Sequence, residues 1–179
     1  LYLGNLIPSK GYIDVVHAAR DLTREGVDID WVIAGGVSDP DAHQRALELA
    51  RELGDRIRFT GPVDDAAKAK LLADADMLVF PSRYENEGLP LVLLEAMAAG
   101  LPVVSTYHAA IPEVVQEGVT GLLVQPGDVA ALTAAISSAM PTAASATDGV
   151  TTSPGTKPPR SNSAKLNSSI APPSPSARP

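Results

Sequence analysis

The chain has 179 residues, a formal net charge of −7, 45% hydrophobic residues and no cysteine. This length allows one domain with a substantial core, and the lack of cysteine excludes disulfide bonds. An acidic chain in which 4% of the residues are aromatic argues against nucleic-acid binding, which needs a basic face. We therefore expect no nucleic-acid partner.

Strand and helix patterns alternate along the first 140 residues. Short apolar runs predict six strands, at 1–4, 28–34, 56–59, 76–80, 101–105 and 121–124. Helical patterns predict six helices, at 12–22, 41–53, 64–73, 91–99, 111–117 and 128–140. The last helix has Asp128 as its expected N-cap. The alternation predicts an α/β fold, a Rossmann-like doubly wound parallel six-stranded sheet with helices on both faces.

Several polar residues and a glycine follow the predicted strands directly. Ligands of such sheets bind beyond the carboxyl ends of the strands, where the strand order switches. The residues expected to share this edge are Asn5, Lys10, Gly35, Thr60, Ser82, Glu87 and Ser105.

The stretch 81–100 combines a strand end, a polar loop and a helix that carries two carboxylates. Glu87 precedes the helix and Glu95 is predicted about two turns inside it. Eight residues of helix span roughly 12 Å and end about 80° further round the axis. That distance is too long for the acid/base pair of a glycosidase. It suits two contacts on one extended ligand, with an anionic group held between them at the helix N-terminus.

Five sequence elements in register identify a family. The segment 87–95, EGLPLVLLE, resembles the Glu-x7-Glu element of the family 4 retaining glycosyltransferases, which use nucleotide-sugar donors and have the GT-B fold. The segments 4–11, 59–63, 75–82 and 111–115 are similar to the flanking elements of the same family, in order and spacing. The resemblance covers residues 1 to about 140.

The resemblance implies a role for each end of a donor molecule. Glu87 matches the catalytic glutamate that contacts the hydroxyls of the donor sugar, and Glu95 matches the glutamate that accepts hydrogen bonds from the ribose. Lys10 is similar to the lysine that holds the diphosphate. Asn5 stands where many relatives have an arginine, so this chain brings one charge fewer to the diphosphate.

Two loops complete the implied donor site. Gly88 and Leu89, with Leu91 at the start of the helix, match the loop around the sugar and diphosphate. The segment 60–63, in which Thr60, Gly61 and Val63 are the implied contacts, looks like the loop that borders the nucleobase.

Each of these residues also has a plain structural interpretation. Glu95 would pair with a neighbouring lysine, because an unpaired buried charge is costly. Glu87 would be a solvated loop acid, and Lys10 an ordinary surface lysine. His108 is a loop histidine with a smaller chance of touching ligand. No cluster of metal ligands is evident, so we expect neither a metal nor a cofactor.

The implied function is retaining transfer of a sugar from a nucleotide diphosphate sugar to a glycan or lipid-linked acceptor, of the exopolysaccharide type. The acceptor would bind to an N-terminal domain that this chain lacks, so we expect little turnover from the chain alone. We expect a cytoplasmic location, and peripheral association of the full-length protein with the inner face of a membrane stays open. The alternatives are a non-catalytic nucleotide-binding module and a truncated or frameshifted fragment without function.

After residue 140 the composition changes to mostly Pro, Ser, Thr and Ala. Such a segment cannot bury enough apolar surface to offset the entropy of ordering it, so residues 141–179 are predicted to be a disordered tail. Its origin as a linker or as a frameshifted reading frame stays open.

Overall fold

Six parallel strands and six α-helices alternate along residues 1–140, the part of the chain that this computed structural model describes. The predicted tail at 141–179 lies outside the described residues. The strands are β1 (Tyr2–Leu3), β2 (Trp31–Ala34), β3 (Ile57–Gly61), β4 (Leu78–Val79), β5 (Val103–Thr106) and β6 (Gly121–Val124). The helices are α1 (Tyr12–Arg24), α2 (Pro40–Ala50), α3 (Asp65–Asp74), α4 (Leu91–Ala98), α5 (Ile111–Val114) and α6 (Val129–Ala139). Two 3-10 segments occur at Pro8–Lys10 and Arg51–Arg56.

The strands form two parallel three-stranded ladders, β1-β2-β3 and β4-β5-β6. Leu1 joins them, because its amine donates to the Met77 carbonyl at 2.9 Å and its carbonyl accepts from the Val79 amide at 2.8 Å. One residue bonded to partners two positions apart is the pattern of a parallel pair. The spatial order is therefore 3-2-1-4-5-6, which confirms the predicted doubly wound α/β fold.

Helices cover the sheet on both faces. Helix α1 contacts α2 and α6 on one face, whereas α4 and α5 pack against β5. Right-handed crossovers put these two groups on opposite faces, because the chain reverses its direction across the sheet between β3 and β4. Strands covered on both sides need continuous apolar sequence, and β1, β4 and β5 are fully buried.

Three helices begin with an aspartate cap. The side chains of Asp39, Asp64 and Asp128 each accept a backbone N–H from three residues later, at 2.8–2.9 Å. Each satisfies one of the unpaired amides at a helix start. The predicted cap at Asp128 is confirmed.

Several predicted strand and helix boundaries are wrong by a few residues. The strand at 28–34 begins only at Trp31, because the exposed Asp28 and Asp30 do not join the ladder. The helix at 41–53 is α-helical to Ala50 and continues as a 3-10 segment in which Gly54 has a non-helical φ of 53°.

Two further elements are shorter than predicted. The helix at 111–117 ends at Val114, because Val115 is extended. The strand at 76–80 is reduced to Leu78–Val79. Within residues 1–140, no helix has the length and apolar character needed to cross a membrane.

Candidate functional site

A lysine and a glutamate from distant parts of the chain form an ion pair at the carboxyl edge of the sheet. Lys10 Nζ lies 3.1 Å from Glu87 Oε1, and the two side chains are 18% and 7% exposed. Ser82 Oγ donates to the other oxygen, Glu87 Oε2, at 2.6 Å. Both carboxylate oxygens are thus engaged, and a hydrogen bond to a charged group is stronger than one between neutral groups.

The fold brings this pair together at the strand-order switch. Lys10 ends the 3-10 segment after β1, and Glu87 lies in the loop between β4 and α4. β1 and β4 are the two central strands of the sheet. The loops that follow them leave in opposite directions, and ligands of doubly wound sheets bind in the crevice between such loops. At Gly11 the two loops touch, since a Cβ there would lie 2.2 Å from the Pro81 carbonyl oxygen.

Aromatic side chains surround the ammonium group. Lys10 Nζ lies 5.2 Å from the ring centroid of Tyr84 and 5.9 Å from that of Phe80, both within cation–π range. The buried Tyr2 hydroxyl donates to the Asn5 carbonyl at 3.2 Å. Burial, and secondarily the negative charge of Glu87, raise the pKa of Tyr2 well above its ordinary value. Tyr2 therefore stays a neutral donor beneath the loop that carries Lys10.

Glu95 forms a second ion pair. Its side chain is 36% exposed, and Oε1 accepts a hydrogen bond from Lys68 Nζ of α3 at 2.8 Å. A lysine partner is what the plain structural interpretation of Glu95 required, although the carboxylate is only half-buried. The hydrogen bond to Glu95 raises the pKa of Lys68.

The predicted position of Glu95 in the helix is wrong. Helix α4 begins at Leu91, with Pro90 as its N-cap in extended conformation at ψ 110°. Glu95 is therefore about one turn inside the helix rather than two. Glu87 lies in non-helical backbone, so the helical projection of 12 Å and 80° between the two carboxylates does not apply.

The remaining predicted site residues divide into two places. Thr60 and Gly61 end β3, and Thr60 Oγ1 donates to the Gly61 carbonyl at 3.0 Å. The half-buried Val63 follows and leads into α3, the helix of Lys68. This segment is thus joined to Glu95 through α3. The residues beside the Lys10–Glu87 pair in the chain are exposed, namely Asn5, Gly88, Leu89 and Leu91.

Sequence reasoning missed several side chains that hold the site. Lys68 has no sequence signal that separates it from Lys70, two residues later on the same helix. Arg83 forms an ion pair with Asp14 of α1, which the apolar spacing of that helix concealed. His108, expected to be a loop histidine, holds the Tyr84 carbonyl with Nε2 at 2.8 Å.

A cavity of about 290 Å³ lies beside the Lys10–Glu87 pair. Its lining is Ser9, Arg83, Tyr84, Glu85 and Asn86. A larger depression, about 520 Å³, lies between the end of α1 and the length of α6 and is lined by two carboxylates and small side chains. The smaller cavity is the relevant one, because its lining residues Ser9 and Asn86 adjoin Lys10 and Glu87 in the chain at the ligand-binding edge.

The arrangement is suited to an anionic, polyhydroxylated ligand. The Lys10–Glu87 pair and the Ser82 hydroxyl lie after strand ends, and a second ammonium–carboxylate pair, Lys68–Glu95, joins helices α3 and α4. Among residues 1–140, no three His, Asp or Glu side chains cluster as metal ligands.

Curated proteins share sequence with this chain. The amylovoran biosynthesis glycosyltransferase AmsK of Erwinia amylovora is 33% identical over 138 residues, which are 75% of this chain and 34% of AmsK. The chain spans about one third of the curated relatives that it matches.

Solved structures show the same fold. HepE of Anabaena, solved in complex with UDP, aligns with a TM-score of 0.66 and 26% identity, over 76% of this chain and 38% of HepE. HepE was also solved in complex with UDP-glucose. The C-terminal domain of a glycosyl transferase group 1 family protein from Francisella tularensis aligns with a TM-score of 0.67 and 25% identity, over 76% of this chain and 72% of that domain.

The family match itself extends over residues 1–141, under the description glycosyl transferases group 1. The chain therefore belongs to the glycosyl transferases group 1 family and is a glycosyltransferase domain with the GT-B type of fold.

Proposed function

We propose that residues 1–140 form the donor-binding part of a retaining, family 4-like glycosyltransferase that uses a nucleotide diphosphate sugar. The observation that carries the proposal is the Lys10–Glu87–Ser82 cluster at the strand-order switch. HepE, with the same fold, binds UDP and UDP-glucose, which supports a nucleotide-sugar donor here. Residues 141–179 are a separate segment in this proposal.

Each part of the donor has a matching group in the chain. Lys10 would neutralise the diphosphate. Negative charge develops on this group in the transition state, as the nucleoside diphosphate departs. Glu87 would accept hydroxyls of the sugar, with Gly88, Leu89 and Leu91 bordering it and Asn5 near the diphosphate.

The nucleoside would occupy the neighbouring region between α3 and α4. Glu95 accepts from Lys68 with Oε1, and Oε2 would accept the ribose hydroxyls. The end of β3, at Thr60, Gly61 and Val63, would border the base, since it leads into the helix that carries Lys68.

The acceptor would bind to a part that corresponds to the other two thirds of the relatives' length. The chain spans one third of them, so we propose a glycan or lipid-linked acceptor bound outside residues 1–140 and little turnover by this chain alone. We propose a cytoplasmic location, with the full-length protein acting at the inner face of a membrane.

Titration of the chain with UDP, GDP and ADP tests the donor site. We expect saturable binding of one of them, which would name the base, and loss of binding in Glu95→Ala. A loss of one ribose contact to a charged group costs about 1.5–3 kcal/mol, or about 10- to 150-fold in Kd.

Glu48→Ala is the matched control, because Glu48 is an exposed acid on helix α2 and lines neither cavity. Its affinity should equal that of the unchanged chain. A folded sample that binds none of the three nucleotides would contradict the proposal.

Lys68 and Lys70 allow a second test within one helix. Lys68 Nζ bonds to Glu95, whereas Lys70 Nζ bonds to Asp74 of its own helix at 2.8 Å. We expect Lys68→Met to weaken nucleotide binding several-fold, because Glu95 loses the donor that orients it. Lys70→Met should leave the affinity unchanged. Calorimetric titration checks both, and equal losses in the two variants would exclude a specific role for Lys68.

A further inference from the structure

A second ion pair joins the 82–87 loop to helix α1, which follows Lys10 in the chain. Asp14 lies in the first turn of α1, and its side chain is 12% exposed. Its Oδ2 accepts from Arg83 Nη1 in the loop after β4. The partners are 69 residues apart in sequence.

The spacing of the two pairs is the same along both segments. Asp14 follows Lys10 by four residues, and Arg83 precedes Glu87 by four. A backbone hydrogen bond from the Arg83 amide to the Ser9 carbonyl, at 2.8 Å, adds a third link between the segments. Any shift of the 82–87 loop relative to Lys10 must therefore break at least one of these links.

The other side of this loop is held by β5 and the segment after it. Ser105 Oγ donates to the Phe80 carbonyl at 2.6 Å, and Thr106 Oγ1 donates to the Ser82 carbonyl. The Tyr84 carbonyl then accepts the Glu87 amide at 2.9 Å, which closes the turn that carries the carboxylate. The β5 contacts fix the start of the loop, and Arg83 is the side chain that fixes its distance from α1.

The charges of Asp14 and Arg83 also indicate a role for this ion pair. The Asp14 carboxylate is nearly buried, and a buried charge that loses its partner is strongly destabilising. The Asp14 carboxylate therefore stays paired with the guanidinium of Arg83. An Arg83 without Asp14 would be a second cation in the loop of Glu87, free to compete with Lys10 for that carboxylate.

We propose that Asp14 and Arg83 are positioning residues that hold the 82–87 loop against the Lys10 segment and so set the Lys10–Glu87 distance. This inference rests on the proposed donor site for its ligand-binding consequence. Its structural consequence, the ordering of the Glu87 turn, is independent of any ligand.

The test compares Arg83→Gln with Arg24→Gln. Arg24 lies in α1, as Asp14 does, and binds the carboxylate of Glu52 at 2.7 Å. Both of these side chains are more than half exposed and lie away from the site. We expect Arg83→Gln to weaken UDP binding about tenfold, because the charge-assisted contact of Lys10 with the diphosphate would no longer be held in position. Arg24→Gln should change it less than about twofold, because exposed pairs contribute little. Arg83→Lys, which keeps the charge, should restore part of the affinity.

Two further readouts separate positioning from general destabilisation. In a Lys10→Met background, Arg83→Gln should cause no additional loss of UDP affinity, because it acts through Lys10. Amide hydrogen exchange at Glu87 should accelerate in Arg83→Gln and stay unchanged in Arg24→Gln.

The outcomes distinguish this inference from the proposed function. An additive loss in the Lys10→Met background, or unchanged exchange at Glu87 in Arg83→Gln, would overturn the positioning role. Absence of UDP, GDP and ADP binding in the unchanged, folded chain would overturn the donor site, while the exchange comparison would still decide the role of Arg83.

Discussion

We expect Lys10→Met to weaken UDP binding by about 10- to 150-fold, whereas Glu87→Gln strengthens it by about 3- to 10-fold. The first value reflects one lost charge-assisted contact to phosphate, about 1.5–3 kcal/mol. The second has the opposite sign because Lys10 is bonded to Glu87 at 3.1 Å without ligand. A diphosphate must compete with that carboxylate for the ammonium group, and glutamine removes the competitor's charge while nearly keeping its shape.

UDP-glucose provides the contrast for this prediction. Glu87→Gln should lose the preference for the sugar-bearing nucleotide over UDP, because the proposed sugar contact and the competing anion are the same carboxylate. Isothermal titration of both ligands against both variants measures the two effects, and melting temperatures verify folding. A Glu87→Gln variant that binds UDP more weakly than the unchanged chain would show that the ion pair does not restrain the free site.

We expect Gly11→Ala to destabilise the fold by about 3 kcal/mol or more, one of the largest single-residue effects in this domain. Gly11 has a φ of 82°, which costs an L-residue about 1–2 kcal/mol, and its Cβ would lie 2.2 Å from the Pro81 carbonyl oxygen. Relief of that overlap requires the Lys10 segment to move away from the 82–87 loop. Affinity for UDP should therefore fall together with stability in urea unfolding.

Gly26 is the matched control. Its φ is 81°, and a Cβ there meets nothing within 4 Å. Gly26→Ala should cost only the backbone term of about 1–2 kcal/mol and leave ligand affinity unchanged. Equal destabilisation in the two variants would mean that the approach of Gly11 to Pro81 contributes nothing.

The fold class was accessible from sequence because its signal is local. Apolar runs such as 121–124 and helix faces such as that of α1 repeat with the period of their own element. The placement of Lys10 and Glu87 on one edge followed as well, since both come after strands. Their direct contact did not follow, because the two residues are 77 positions apart in the chain and the contact depends on the absence of a side chain at Gly11.

The start of α4 at Leu91 agrees with the predicted helix 91–99, and only the depth of Glu95 in it was wrong, because the four residues before Leu91 are not helical. An exposed lysine on a helix has no local feature that reveals a partner on another helix. Only the packing of α3 near α4 distinguishes Lys68, which reaches Glu95, from Lys70.

The hydrogen bonds of Leu1 to both sides of Leu78 have a consequence for how this chain folds. They join the two ladders, and they link residues more than 70 positions apart. Contacts of such high sequence separation form late, because the loop-closure entropy must be offset before they contribute. The edge that carries Lys10 and Glu87 is therefore complete only when the two halves of the sheet have joined. A nucleotide bound at this edge would stabilise the state in which the two halves are joined and would bias the chain towards it.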